Sequence, residues 1–250
     1  MLLTDIEVQE AMDRKINPDE VRNMQMRLGL DVARGGVDRS AFARRQGLIA
    51  HPIEEESSST LGPELAGLVM KKQEDFRVER VFVDNTGGFG SSVIDSLDMA
   101  ATTMDVTPIH YSSKAQDKRY FNKRTEMWVR MRDWVRKGGQ LPRDPDLAKQ
   151  LTCPKLFFHG GVFRLEEKQQ IKDRLGFSPD KADALAQTFA DVEQPSFFAN
   201  YEAQDRTGRP LDEEAQFRIF QQIGAGMNNH LSDPDQLDSG GNPFYPKHRS

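Results

Sequence analysis

Asp31, Asp84 and Asp183 are the residues of this 250-residue chain whose types and settings invite a chemical reading. Asp31 interrupts an apolar run, LGLDVA, that reads as a strand over 27–33. A carboxylate there is costly to bury unless something pairs with it, and aspartate has low strand propensity. Asp84 closes VFVD, at the C-terminal end of a second β-rich run over 80–84. Asp183 lies in SPDKADALAQTFA, whose Ala182, Leu185, Ala186 and Phe189 form a helical apolar stripe. Asp183 itself lines up with Ala186 and Ala190, small residues that let a helix approach a sheet closely.

A trio of carboxylates brought together by a fold suits metal-assisted phosphodiester hydrolysis. Mg²⁺ and Mn²⁺ take oxygen ligands and keep several waters, so a few carboxylates suffice. Two such ions, roughly 3.5–4 Å apart, activate the attacking water and neutralise the leaving oxygen. Each residue also has a plainer reading. Asp84 at a strand end can serve as a turn former or helix cap. Asp180 complements the dipole of the helix it opens, and Asp38 can shape the turn after Gly35-Gly36. Asp31 alone has no local structural task.

The elements that must position these residues follow an α/β order. Residues 1–26 read as a polar, helical connector, with a helix over 6–16 and a second opening at Asn17-Pro18. Strands are expected at 27–33, 39–46 and 47–53, a loop at 54–60, a helix at 61–76 and a strand at 80–84. A helix over 92–101, a strand over 106–111 and a long helix over 121–137 follow. KLFFHGGVFRL reads as two short strands around Gly160-Gly161, then a charged helix over 166–175. The helix over 178–190 has Ser178 as its expected N-cap and Pro179 at its first position. After Gln194 the chain turns polar, with a helix expected over 213–223 and disorder from Gly224. The order predicts a mixed central sheet whose early strands form a meander.

Composition bounds the rest. Hydrophobic residues make up 37% of the chain, fewer than a uniformly packed domain carries, so a core domain with polar ends is expected. A single cysteine, Cys153, excludes an internal disulfide and a cysteine-based zinc site. There is no secretory signal and no apolar run long enough to span a bilayer, which points to a soluble intracellular protein. The net charge of −5 conceals an uneven distribution. Between Lys114 and Lys137 stand nine basic residues against three acidic, whereas 191–250 holds ten acidic against five basic. Lys114, Lys118, Arg119, Lys123 and Arg124, mixed with Tyr120, Phe121 and Asn122, are candidates for phosphate contact; a solvated basic helix face is the alternative. NTGGFGSSV half-matches a dinucleotide fingerprint, but Val93 stands where its third glycine belongs. No P-loop is encoded, and the five histidines lack metal-ligand spacing, His159 included.

Four segments, LGLDVARGGVDRSAFARRQG, VFVDNTGGFGSSVIDSL, YFNKRTEMW and SPDKADALAQTF, together resemble the nuclease domain of the large terminase subunit of tailed bacteriophages and prophages. The resemblance spans about residues 27–190. It implies an RNase H-like fold, with Asp31 on the central strand, Asp84 on its parallel neighbour and Asp183 on a helix packed over them. By the same implication Asp31, Asp84 and Asp183 bind two Mg²⁺ or Mn²⁺ ions and cut concatemeric double-stranded DNA with little sequence preference, Asp180 and Asp38 being second-rank ligands. It further implies a host-cytoplasmic protein working with a portal protein and a small terminase subunit. The packaging ATPase of that family has no counterpart here, so residues 1–26 are expected to be a connector, 27–195 the nuclease and 196–250 a flexible acidic tail. An assembly module docking on the portal through that tail, with negligible catalysis, is the competing expectation. A sugar-kinase or actin-like nucleotide enzyme shares the first-strand pattern but needs two copies of the fold, and the chain has room for one.

Overall fold

The computed structural model describes residues 2–33, 35 and 38–196, all within the compact unit Met1–Ala199. The helix expected over 213–223 and the acidic tail lie outside the described residues.

Among the described residues six strands form one mixed sheet: β1 (Met26–Asp31), β2 (Ser40–Gln46), β3 (Ile49–Ala50), β4 (Glu54–Glu56), β5 (Val78–Asp84) and β6 (Asp105–Ile109). Their order is β3-β2-β1-β5-β6, with β4 pairing β2. β1 runs antiparallel to β2 and parallel to β5, which is parallel to β6. The described α-helices are α1 (Asp5–Asp13), α2 (Gly62–Phe76), α3 (Ser91–Met99), α4 (Lys123–Arg136), α5 (Pro145–Thr152), α6 (Lys168–Leu175) and α7 (Asp180–Gln187). A separate hairpin pairs β7 (Leu156–His159) with β8 (Val162–Leu165).

Every residue of β1 is buried, because helices cover both faces of the sheet. Alternation along the strand divides its side chains. Leu28 and Leu30 join Val81, Val83 and Phe42 in a core closed by Leu65, Val69, Val93 and Leu97 of α2 and α3. Arg27, Gly29 and Asp31 therefore face the opposite side. There Phe82, Ala41 and Ala43 meet residues of α1, α4, α5 and α7 in the second core. Gly29 is the closest approach: a Cβ at that position would stand 1.9 Å from the Ala184 carbonyl oxygen of α7. Only a residue without a side chain lets α7 lie directly on β1. Two buried arginines hold the C-terminal end of that helix. Arg27 and Arg45 both donate to the Thr188 carbonyl, at 2.7 and 3.0 Å, favourable partners for a helix C-terminus. Arg27 also pairs with Asp191, and Arg45 with Glu193.

The structure departs from the sequence-based expectation at four places. The strand expected over 47–53 shrinks to two residues after the Gly47 turn, while the acidic run Glu54–Glu56, read as loop, pairs with β2 as an edge strand. A helix not foreseen, α5, starts at Asp144, whose side chain accepts from the Asp146 and Leu147 amides, with Pro145 at the first position. The last helix begins at Asp180 with Pro179 at its cap, not Ser178. Finally, the polar amino-terminal segment contributes to the core: Leu2, Leu3, Val8, Ala11 and Met12 are buried with α4 residues. Among the described residues no helix is long and apolar enough to cross a membrane.

Candidate active site

Asp31 ends β1 and Asp84 ends β5. The parallel register pairs Leu30 with Val83, so these two aspartates emerge side by side at the carboxyl ends of adjacent strands, the usual position for a site in such sheets. Gly90 holds the turn beyond Asp84 close, since a Cβ there would lie 2.3 Å from the Asp84 carbonyl oxygen. Above them, the first turn of α7 brings Asp180 and Asp183. At the centre stands a residue that sequence reasoning did not single out, Lys168, the first of α6. Its Nζ lies 2.7 Å from Asp31 Oδ2, 2.9 Å from Asp180 Oδ1 and 3.6 Å from Asp183 Oδ2.

The electrostatics follow from this crowding. Asp31 is 1% exposed; burial, then the charges of Asp84, Asp180 and Asp183, raise its pKa well above the ordinary carboxylate range against the pull of Lys168. Burial disfavours the charged Lys168 amine, yet the Asp31, Asp183 and Asp180 carboxylates outweigh it and its pKa rises. Tyr111 Oη donates to Asp31 Oδ1 at 3.2 Å and accepts from Gln187 Nε2 at 2.9 Å. Asp84 Oδ1 accepts from the Thr86 amide at 2.8 Å, the turn-forming role open to it from the sequence.

Asp183 differs from its neighbours. It is wholly buried and accepts from Trp128 Nε1 at 2.7 Å and from Arg124 Nε at 2.9 Å and Nη2 at 3.3 Å. Arg124, grouped above with the phosphate-contacting candidates, thus points inward. The spacing of residues 124, 128, 131 and 135 explains it: Arg124 lies on the apolar stripe of α4, with Trp128, Met131 and Val135. Lys123 is half-buried and donates to Glu126 and to the Ala190 carbonyl. Lys114, Lys118 and Arg119 are exposed. Asp38 pairs with Lys172 at 2.7 Å. Asp38, Lys168, Lys172, Asp180, Thr86 and Asn122 line a cleft of about 460 Å³. His159 stands exposed on the β7–β8 hairpin.

The donor set consists of hard carboxylate oxygens, the chemistry that Mg²⁺ or Mn²⁺ requires. Among the described residues no three acidic, imidazole or thiol side chains stand around one point as metal ligands do; the Lys168 ammonium holds that place as the counter-charge. Oxygen donors of this kind suit a divalent cation.

The chain matches no protein-family model and no curated protein. Solved structures do resemble it. The nuclease domain of the large terminase subunit gp2 of bacterial virus Sf6 superposes with a TM-score of 0.63 at 18% identity, over 75% of this chain and 97% of that one. A lysine-to-alanine variant of the same subunit, with calcium, gives the same TM-score and identity over 75% and 98%. The same variant, with manganese, gives 0.60 at 16% identity. The fold is that of a large-terminase nuclease domain. The mixed sheet flanked by helices is thus the RNase H-like arrangement that the four sequence segments implied. On the terminase fold, Asp31, Asp84, Asp180 and Asp183 come from the ends of two parallel strands and from one helix. The three cluster members that sequence reasoning missed, Lys168, Tyr111 and Gln187, come from α6, the segment after β6, and α7.

Proposed function

We propose that this chain is a divalent-metal-dependent DNA endonuclease of a viral packaging motor, cutting concatemeric DNA with little sequence preference. The observation that carries the reading is the convergence of Asp31, Asp180 and Asp183 on one lysine ammonium, with Asp84 beside Asp31. Four acidic groups gathered with two cations, Lys168 and Arg124, repel one another at a cost unless positive charge is present. Asp31, Asp84 and Asp180 would hold Mg²⁺ or Mn²⁺, with Asp38 nearby at the cleft wall. Two ions in such a site supply Lewis acidity to the attacking water and charge neutralisation to the leaving oxygen.

The protein's own groups do the positioning. Tyr111 and Gln187 orient the Asp31 carboxylate, and the Thr86 amide fixes that of Asp84. Arg124 and Trp128 clamp Asp183, which makes it the anchor of the α7 first turn and leaves Asp180 as the member of that helix facing the cleft. Lys168 supplies the positive charge that Asp31, Asp180 and Asp183 share. Exposed Lys114, Lys118 and Arg119 offer phosphate contacts whose strength falls with salt.

Nicking of supercoiled plasmid in Mn²⁺ or Mg²⁺ tests the reading. Wild type converts supercoiled to open-circular and linear DNA, and Asp31→Asn, Asp84→Asn and Asp180→Asn each lose that activity. Full cutting by folded Asp84→Asn would refute it.

A further inference from the structure

The β7–β8 hairpin carries aromatic rings that the fold does not use. Phe158 is 67% exposed, Phe157 48% and Phe163 36%. Phe158 and Phe163 are direct cross-strand partners, their ring centroids 5.0 Å apart. Phe157 and Arg164 occupy the opposite face, where the Arg164 guanidinium lies 3.5 Å from the centroid of Phe121, itself 46% exposed. Residues 119–121 hydrogen-bond alongside β8, through Phe163 N to Arg119 O at 2.8 Å and Phe121 N to Phe163 O at 2.9 Å. Both faces of a protruding ribbon thus present aromatic surface.

Neither core holds this surface, and large apolar side chains clustered in solvent mark a contact site. Two observations select the occupant. The patch continues into the aspartate cleft, whose wall includes Phe121 and Leu165. Cations flank it: Lys118 and Lys155 are exposed next to the paired segments, and Arg119, paired with Asp117, hydrogen-bonds alongside Phe163. Aromatic faces between phosphate-attracting cations are what unpaired bases on a single strand require; a duplex, with its bases stacked inside, gains only from the cations.

We propose that the β7–β8 hairpin is a stacking platform for unpaired bases of single-stranded DNA entering or leaving the cleft. The platform rests on the reading of the cleft as a DNA site and adds to it a preference for frayed or melted substrate. Phe158 stacks a base on one face of the ribbon. Phe157 and the Arg164–Phe121 pair serve the other, and Lys118 and Lys155 follow the backbone.

The test measures binding by the full chain in EDTA, so that no cutting occurs. Fluorescence anisotropy compares a labelled oligo-dT strand with a blunt duplex of equal length. The double variant Phe157→Ala/Phe158→Ala is expected to bind the single strand at least about tenfold more weakly, since it loses a stacking ring on each face. Its duplex affinity should change by less than about twofold and its thermal unfolding stay unchanged. Phe158→Trp retains single-strand binding, and its added indole fluorescence is quenched by oligo-dT. Unchanged single-strand affinity in the double variant, an equal loss for both DNAs, or no quenching of the added indole on binding overturns the platform. So does a change of wild-type dimers to monomers on the double substitution, which would make the patch a self-association surface. Plasmid nicking by wild type in Mn²⁺ is scored separately: phenylalanine-dependent single-strand binding without nicking supports the platform and refutes the nuclease.

Discussion

Replacing Gly29 with alanine tests whether the closeness of α7 to β1 assembles the site. The added Cβ would sit 1.9 Å from the Ala184 carbonyl oxygen, 3.0 Å from its carbonyl carbon and 3.1 Å from Gln187 Cβ. Two of these atoms are backbone, so no rotamer change relieves the clash. Ordinary contact begins at 3.4 Å, and β1 and α7 must therefore separate by about 1.5 Å at this point. Overpacking of this kind costs about 1–3 kcal/mol. The functional penalty is larger in proportion, because α7 carries Asp180 while β1 carries Asp31 two residues from the clash. A misplacement of about 1 Å reduces catalysis roughly 10²-fold. Gly29→Ala should thus lower the urea midpoint in EDTA and reduce Mn²⁺-dependent plasmid nicking by about two orders of magnitude while the protein remains folded. Gly67→Ala is the control: it lies in α2 with nothing within 4 Å of its added Cβ, and alanine there should stabilise by about 0.5–1 kcal/mol. A Gly29→Ala protein with wild-type unfolding and wild-type nicking would refute the reasoning, since it would mean that the contact does not set the distance between the aspartates.

Lys168→Ala should lower the melting temperature in EDTA, because Asp31, Asp180 and Asp183 lose their shared ammonium. It should also enlarge the gain in melting temperature on adding Mn²⁺; scanning fluorimetry showing no larger gain than wild type counts against the lysine as a stand-in cation. Arg124→Met leaves Asp183 buried and without its guanidinium, which costs about 3–5 kcal/mol. Urea denaturation should show most of that loss recovered in Arg124→Met/Asp183→Asn. His51, whose Nε2 is buried without a partner among the described residues, has its pKa lowered to about 4 by burial and then by Arg44. The fold therefore favours the neutral ring: its contribution is complete above the ordinary histidine pKa of about 6.5 and is lost as pH falls from there toward 4. His51→Phe should flatten the stability profile over that window, and an unchanged slope in pH-dependent urea midpoints would show that the ring is not buried neutral.

Asp31 and Asp84 were legible in the sequence because each breaks or ends a short apolar strand, a local pattern that a single sequence displays. The alternation of Arg27, Gly29 and Asp31 with Leu28 and Leu30 was legible too, once helices are placed on both faces of the sheet. The inward turn of Arg124 also had a sequence signal, in its helical spacing from Trp128, Met131 and Val135. Lys168 had none. It opens a helix rich in charge, and nothing local separates a lysine that reaches three distant aspartates from one that meets only water. Tyr111 and Gln187 escaped for the same reason: their bond to each other spans 76 residues and exists only after the sheet and α7 have come together. Asp180 and Asp183 remained ambiguous because both lie on one turn and both approach Lys168; the Arg124 and Trp128 contacts that only Asp183 makes come from another helix.

The burial of Leu2 and Leu3 has a practical corollary for anyone preparing this protein. A truncation beginning at Met26 would keep every aspartate of the cluster and all six strands of the sheet. It would also strip the cover from Trp128, Val135 and Leu141, which share a core with α1, and remove the Arg14 guanidinium that donates to the Val135 and Gly139 carbonyls. Such a shortened version should appear in the insoluble fraction on expression.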